Sequence, residues 1–239
     1  MFGFKMLEKV IGWVTIRSET VRQGLAEALG TFLLMLFGLG SVAQVVLGQK
    51  NFGEYLSINL GFGFGAMLGI HAAGGISGAH MNASITFANC LIGRLPWYKF
   101  PAYVIGQFVG SFLAASTVFV MYYEALQDYT GGNLTITGPT ATAGIFSTYP
   151  APYVSLLGGF FNEVRPAQLS FIFSFRAANC WWWVPIVAPM LGSLVGVFIY
   201  NILIDFHNRS QKELELEPSQ NDKYIKHDLE AGGTPEIRL

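Results

Sequence analysis

Ser77-Gly78-Ala79-His80-Met81-Asn82-Ala83-Ser84 is the stretch that decides the fold, because it opens an apolar run too short to cross a bilayer. As a helix, the run from Asn82 to Ile92 would be about 16 Å long, roughly half of a ~30 Å hydrocarbon core. Longer apolar segments flank it. Irregular backbone at membrane depth persists only where it is buried in protein or lines a water-filled cavity. The pattern therefore predicts a half-helix that enters the membrane and returns, which points to a pore.

The composition is that of an integral membrane protein. Charged residues make up 12% of the chain and hydrophobic residues 52%, whereas soluble domains carry about 25% charged residues. The net charge of -1 argues against a nucleic-acid partner. Cys90 and Cys180 lie far apart in apolar surroundings, which favours buried thiols over a disulfide or a metal site. The four histidines are scattered, so neither an enzyme, a metal site nor a cofactor is expected.

Apolar runs and turn residues predict four full spans in a transmembrane domain that covers residues 21–206. A cytoplasmic N-terminus, 1–20, precedes this domain, and a charged cytoplasmic tail, 207–239, follows it. The predicted full spans are 24–47, 56–76, 100–123 and 183–204, and the half-helix is 82–92. Residues 124–152 are predicted to form a loop, because Gly131-Gly132-Asn133 and Gly138-Pro139 are turn sequences.

Basic residues set the predicted orientation. They precede the first span, separate the half-helix from the third span, and follow the last span. The positive-inside rule places all three groups, and therefore both termini, in the cytoplasm. The loop 124–152 is then extracellular, and its sequon Asn133-Leu134-Thr135 predicts a glycan on Asn133. An even number of spans satisfies this topology, so residues 154–175 must return to the outer side or stay buried.

Glycines four residues apart indicate close helix packing. Gly61, Gly65 and Gly69 fall on one face of the second span, and Gly106 and Gly110 fall on one face of the third. Small residues at this spacing let helix backbones approach closely in lipid.

The half-helix also has the chemistry of a filter for neutral solutes. Its N-terminus offers unpaired N–H groups and a partial positive charge, which repels cations and protons. Asn82 adds a side-chain NH2 donor, and the glycine-rich stretch 74–79 is loose enough to turn carbonyls toward a pore. Asn82 also suits a helix N-cap, a role that is compatible with the pore role.

Several motifs resemble the major intrinsic protein family. They are Glu27 within Leu25-Ala26-Glu27-Ala28-Leu29-Gly30-Thr31-Phe32, the segment 77–83, and Gly144-Ile145-Phe146-Ser147-Thr148-Tyr149-Pro150. The last motif, together with Arg94-Leu95-Pro96-Trp97, is similar to vertebrate aquaglyceroporins, which pass glycerol, urea and water. The resemblance covers residues 21–164 and 181–205, and it implies an all-α, aquaporin-like helical bundle with a re-entrant half-helix.

The resemblance also assigns candidate pore residues. Family members have six spans and two half-helices that each begin with Asn-Pro-Ala. Asn82-Ala83-Ser84 stands for the first copy, where alanine at the first helical position should be tolerated in place of proline. Gly78 and Ala79 belong to the loop before it. Phe62 matches a filter aromatic, with a lipid- or core-facing ring as the alternative. His80 matches a pore-loop histidine, and a structural histidine fits equally well.

Two carboxylates and a degraded motif complete the assignment. Glu27 is similar to a buried glutamate that braces the half-helix loop, and Glu163 resembles its counterpart in the fourth span; a carboxylate inside a span is costly unless it is paired. Where a second Asn-Pro-Ala-Arg is expected, the chain has Arg165, Pro166, Ala167 and Gln168. This pattern implies a deletion near 164–165 that removes most of spans four and five, so the second repeat is incomplete.

Two functions follow from the resemblance. The first is a passive channel for glycerol, water and small neutral solutes such as urea, with conduction reduced by the deletion. The second is a non-conducting truncated form that associates with full-length subunits and modulates them. The resemblance implies a multi-pass protein of the plasma-membrane lipid bilayer. It also implies assembly, either as a homotetramer or with intact aquaglyceroporins.

Overall fold

The computed structural model describes residues 15–147, 155 and 184–205. Every regular element in these ranges is helical, and no strand occurs in them, as the sequence predicted. The α-helices are α1 (Glu19–Leu47), α2 (Tyr55–Ser77), α3 (Ala83–Leu91), α4 (Phe100–Met121), α5 (Tyr123–Thr130) and α6 (Val184–Tyr200). Two short 3-10 helices, Trp97–Lys99 and Ala143–Ile145, lie in the connections, and a π-helical stretch, Asn201–Asp205, continues α6.

Three of the described helical segments are long and apolar enough to cross a membrane: Glu19–Leu47, Tyr55–Ser77 and Trp97–Met121. They correspond to the first three predicted spans. The first begins earlier than predicted, because Ser18 caps it by accepting a hydrogen bond from the N–H of Val21. The half-helix α3 has only nine residues, about 14 Å, so it cannot cross a bilayer. The prediction of a half-helix between full spans is confirmed.

The last predicted span falls on α6 and the π-helical stretch that follows it. This helix contains Pro189, and its apolar part, Val187–Leu203, is shorter than the three membrane-length segments. The chain divides into two compact units, residues 1–193 and 194–239, and α6 crosses the boundary between them.

Helix α1 packs along both α2 and α4, and glycines set both contacts. A Cβ added to Gly65 would lie 2.8 Å from the carbonyl oxygen of Leu34, and one added to Gly69 would lie 2.7 Å from that of Gly30. On the other side of α1, a Cβ on Gly106 or Gly110 would overlap a carbonyl oxygen of α1. The predicted packing role of these glycines is confirmed.

The loop predicted for residues 124–152 is wrong in its first part. Helix α5 begins at Tyr123, directly after the end of α4, and the left-handed Gly131 ends it. Leu126 of α5 and Ile145 of the second 3-10 helix are each 1% exposed, and they share an apolar cluster with Met35 and Val118. Burial of Leu126 against α1 and α4 explains why this polar segment is helical. The turn sequences were read correctly, since Gly131, Gly132 and Gly138 have positive φ.

Candidate functional site

The connection between α2 and α3 is a tight loop of left-handed residues. Helix α2 continues through Ser77, so the stretch predicted to be loose is helical until Gly78, which adopts φ 83° and ends the helix. Ala79 and Met81 also have positive φ, at 49° and 48°. This conformation costs an L-residue about 1–2 kcal/mol, so the surrounding contacts must hold the loop.

The carboxylate of Glu27 supplies those contacts from α1. Glu27 is fully buried at 0% exposure. Its Oε1 accepts hydrogen bonds from the N–H of His80 at 2.8 Å and the hydroxyl of Ser77 at 2.6 Å. Its Oε2 accepts from the N–H of Met81 at 2.7 Å and from Nε2 of Gln107 at 2.8 Å. One side chain thus binds the N–H groups of two consecutive residues, His80 and Met81, directly before the half-helix.

Asn82 is the N-cap of α3. Its Oδ1 accepts a hydrogen bond from the N–H of Ser84 at 2.8 Å, and Ala83 is the first helical residue. The predicted capping role is confirmed, and alanine occupies the first position without disturbing the helix. Because Oδ1 faces the helix, the NH2 group forms the other side of the amide.

Residues of α4 also hold the loop and the half-helix. The hydroxyl of Tyr103 donates to the carbonyl of Ser77 at 3.0 Å, and Nε2 of Gln107 donates to Oγ1 of Thr86 at 3.0 Å. Tyr103 and Gln107 are each 1% exposed. The sequence reasoning missed both residues. Polar groups buried within a predicted span were the available signal, because such groups are costly without partners.

His80 is half-buried in the loop. Its ring centroid lies 5.1 Å from that of Tyr103, and its Nδ1 lies 3.2 Å from Oγ1 of Thr86. The structure therefore joins His80 to Glu27, Asn82 and Thr86 in one hydrogen-bonded cluster, in which Gly78 and Ala79 form the turn.

Phe62 lies away from this cluster. It is sixteen residues before Gly78 on α2, about 24 Å along the helix axis. Its ring fills the space beside Gly38 of α1 and packs on two apolar clusters, so the structure gives it core contacts. Glu163, Arg165, Pro166, Ala167 and Gln168 lie outside the described residues.

The described part of the chain offers little other chemistry. No group of three or more His, Cys, Asp or Glu side chains in it is placed to hold a metal ion.

Asn133 lies in the exposed segment after α5, where the side chain of the predicted sequon is accessible. Lys99, before α4, pairs with Glu19 at the start of α1 over 2.7 Å, which ties the two helix ends together.

Comparison with known proteins agrees with this geometry. The aquaglyceroporin from Plasmodium falciparum has a similar structure, with a TM-score of 0.66 and 24% sequence identity over 77% of this chain and 97% of that chain. At this identity the likeness establishes the fold, an aquaporin-like helical bundle.

Sequence comparisons establish the family. Aquaporin-7 from Mus musculus is 41% identical over 249 aligned positions, which cover 79% of this chain and 82% of the relative. Aquaporin-9 and aquaporin-10 from Homo sapiens are 32% and 33% identical, and the alignments cover 90% and 95% of this chain and 94% of each relative. Residues 15–177 match the family model described as major intrinsic protein. The chain therefore belongs to the major intrinsic protein family.

Proposed function

We propose that this chain is a channel protein of the aquaglyceroporin type, which passes glycerol, water and small neutral solutes such as urea passively across the bilayer. The observation that carries the proposal is the half-helix α3, whose N-terminus is held at a strained loop by the buried carboxylate of Glu27. A half-helix among membrane-length helices is stable only in protein or beside a water-filled cavity. The 41% identity to an aquaporin supports the same class of function.

The loop suits a neutral hydroxylic solute. The N-terminus of α3 carries a partial positive charge that opposes cations and protons. No hydrogen bond from the described residues reaches the carbonyls of Gly78, Ala79 and His80, so these oxygens are available to accept from a hydroxyl. Asn82, two residues after His80, carries an amide NH2 group, which is a hydrogen-bond donor. A donor and acceptors this close in sequence match glycerol and water, which have both functions.

Conduction by this chain alone is expected to be slow. The aquaporin-7 alignment spans 249 positions, more than the 239 residues of the whole chain, so it contains gaps opposite this chain. Gaps of this kind are consistent with a deletion, and the sequence Arg165-Pro166-Ala167-Gln168 is the reason for assigning it to residues 164–165, within spans four and five. Arg165 would then replace a pore asparagine, and a charge at the membrane centre costs about 2.5–3.5 kcal/mol on insertion scales unless it is paired. Glu163 is close enough in sequence to pair with it, at the expense of its own bracing role.

A reduced second repeat would also suit a second function. A chain with an intact first repeat and a reduced second repeat still presents the surfaces of α1, α2 and α4 to other subunits. It would then join full-length aquaglyceroporins in a mixed assembly and alter their activity or trafficking, instead of forming a homotetramer with its own pores.

The proposed orientation has both termini in the cytoplasm and the segment after α5 outside the plasma membrane. The exposed Asn133 is then the glycosylated residue. Asn82 and Asn208 also match the sequon, but the first lies in the loop at the start of α3 and the second is assigned to the cytoplasm. A glycan mapped to Asn208 would overturn this orientation.

Solute flux in proteoliposomes tests the channel directly. We expect the purified chain to pass glycerol far more slowly than an intact aquaglyceroporin reconstituted alongside it. The remaining flux should fall in Asn82→Leu, which removes the amide donor and keeps similar bulk. Asn89→Leu is the matched control, because Asn89 lies at the other end of α3 and bonds its own helix at the carbonyl of Ile85.

Two results would count against the proposal. Flux equal to that of an intact channel and unchanged in Asn82→Leu would refute both the reduced conduction and the pore role of Asn82. Absence of flux, combined with copurification of the chain with a co-expressed intact aquaglyceroporin, would favour the second function.

A further inference from the structure

The amide of Gln107 has an orientation that its partners determine. Its Nε2 lies 2.8 Å from Oε2 of Glu27 and 3.0 Å from Oγ1 of Thr86. An ionised carboxylate only accepts hydrogen bonds, so the nitrogen and not the oxygen must face Glu27. Both amide protons are then used. The oxygen of this amide is buried and has no hydrogen-bond partner in the described structure, so the contacts of Gln107 serve its nitrogen.

This orientation constrains the hydroxyl of Thr86. A hydroxyl has one proton and two acceptor lone pairs, and Gln107 donates to one of the lone pairs. The proton is directed at the carbonyl of Asn82, 3.0 Å away. The second lone pair remains for His80, whose Nδ1 lies 3.2 Å from the hydroxyl oxygen. Nδ1 must then carry a proton to form this hydrogen bond.

The alternative proton arrangement is less favourable. If Thr86 donated to Nδ1, the neutral imidazole would carry its proton on Nε2. The described residues offer Nε2 no hydrogen-bond acceptor. Gly78 lies beside this nitrogen: a Cβ added to Gly78 would be 3.7 Å from Nε2. Contact with the ring of Tyr103 restricts the imidazole from turning toward another partner.

We propose that Gln107 is a positioning residue that fixes the proton arrangement of the pore loop, through Thr86, so that His80 presents the lone pair of Nε2. Gly78, next to Nε2, is exposed. A solute hydroxyl that reached Nε2 would therefore meet an acceptor at His80. This inference rests on the proposed pore, but the proton position on His80 can be measured whether or not the chain conducts.

Nitrogen NMR of the histidine side chains tests the proposal. The full chain is labelled with [15N]histidine, reconstituted in lipid nanodiscs and held at pH 8, and the His80 signals are assigned from their loss in His80→Gln. We expect protonated Nδ1 and unprotonated Nε2 in the unmodified protein. Gln107→Met removes the donor but keeps its bulk, so the Thr86 hydroxyl can turn and the Nε2-protonated form should become a substantial fraction.

Three further variants make the test specific. Ser111→Ala changes a buried residue of the same helix, whose hydroxyl donates to the carbonyl of Gln107, and it should leave the His80 signals unchanged. Thr86→Ser keeps the hydroxyl and should retain protonated Nδ1, whereas Thr86→Val should lose this preference. The Thr86 pair still decides the question if Gln107→Met does not fold.

Protonated Nε2 in the unmodified protein would overturn the proposal. So would His80 signals in folded Gln107→Met, or in Thr86→Val, that match those of the unmodified protein. A shift in Gln107→Met and Thr86→Val, but not in Ser111→Ala or Thr86→Ser, would establish it. Failure of this test would leave the flux measurements on Asn82 unaffected, so the two proposals are separable.

Discussion

Glu27→Leu is expected to destabilise the folded protein, because it removes the acceptor of four hydrogen bonds, three buried and one part-buried. The N–H groups of His80 and Met81 lie 2.8 and 2.7 Å from the carboxylate oxygens, and they cannot turn away while the loop keeps its conformation. A buried donor left unsatisfied costs about 1–3 kcal/mol. These two backbone groups alone therefore lower the free energy of unfolding by about 2–6 kcal/mol; Ser77 and Gln107 can partly reorient.

The measurement is the melting temperature of the purified chain in detergent. For a chain of this size, about 2–4 °C per kcal/mol converts the loss to a decrease of roughly 4–24 °C. Glu27→Gln should give a smaller decrease, because its amide keeps one acceptor oxygen. Glu54→Leu is the matched control: Glu54 is exposed and its side chain makes no cap hydrogen bond, so its effect should stay within about 0.5 kcal/mol. Equal melting temperatures for Glu27→Leu and the unmodified protein would refute the bracing role of Glu27.

The other predictions concern helix packing, the ion pair and the orientation. Gly110→Ala should lower the free energy of unfolding by about 1–3 kcal/mol, because its Cβ would overlap the backbone of α1. Gly63→Ala should be neutral or stabilising, because a Cβ there would have no atom within 4 Å. Thermal melts compare the two variants, and equal effects would contradict the packing role of Gly110. Lys99→Met should change the melting temperature little at low or high salt, because its partner Glu19 is 62% exposed; a large decrease would show a structural ion pair. Asn133→Gln should abolish the glycosidase-sensitive shift in gel mobility, and an unchanged shift would place the glycan elsewhere.

The helices and the half-helix could be predicted from the sequence, because the bilayer makes length and polarity decisive. An apolar run of nine to eleven residues is too short to span, whatever its neighbours, and Asn82 marks its start. The glycine faces were also readable: the four-residue spacing of Gly106 and Gly110 places them on one side of α4, where α1 packs. These features depend on local spacing alone.

Features that depend on distant partners could not be predicted from the residues alone. The polar sequence of α5 gives little indication of a helix, and Leu126 becomes buried only because α1 and α4 meet beside it. Glu27 was assigned a bracing role through the family resemblance, but its contacts with Ser77 and Gln107 join residues 50 and 80 positions apart. Gln107 itself was missed, since its role depends on which acceptors the fold places around its amide nitrogen.

Because of the hydrogen-bonded cluster around Glu27, the stability of the loop should not depend on whether the chain conducts. Every group described in this cluster lies between residues 27 and 107, within the first repeat. The proposed loss of spans four and five would remove pore wall but none of these hydrogen bonds, so the first half-helix should remain folded even if the chain conducts poorly. Glu27→Leu should therefore lower stability even where flux is already small. If the second repeat were needed to hold the loop, the unmodified chain would already be unstable, and the substitution would have little further effect.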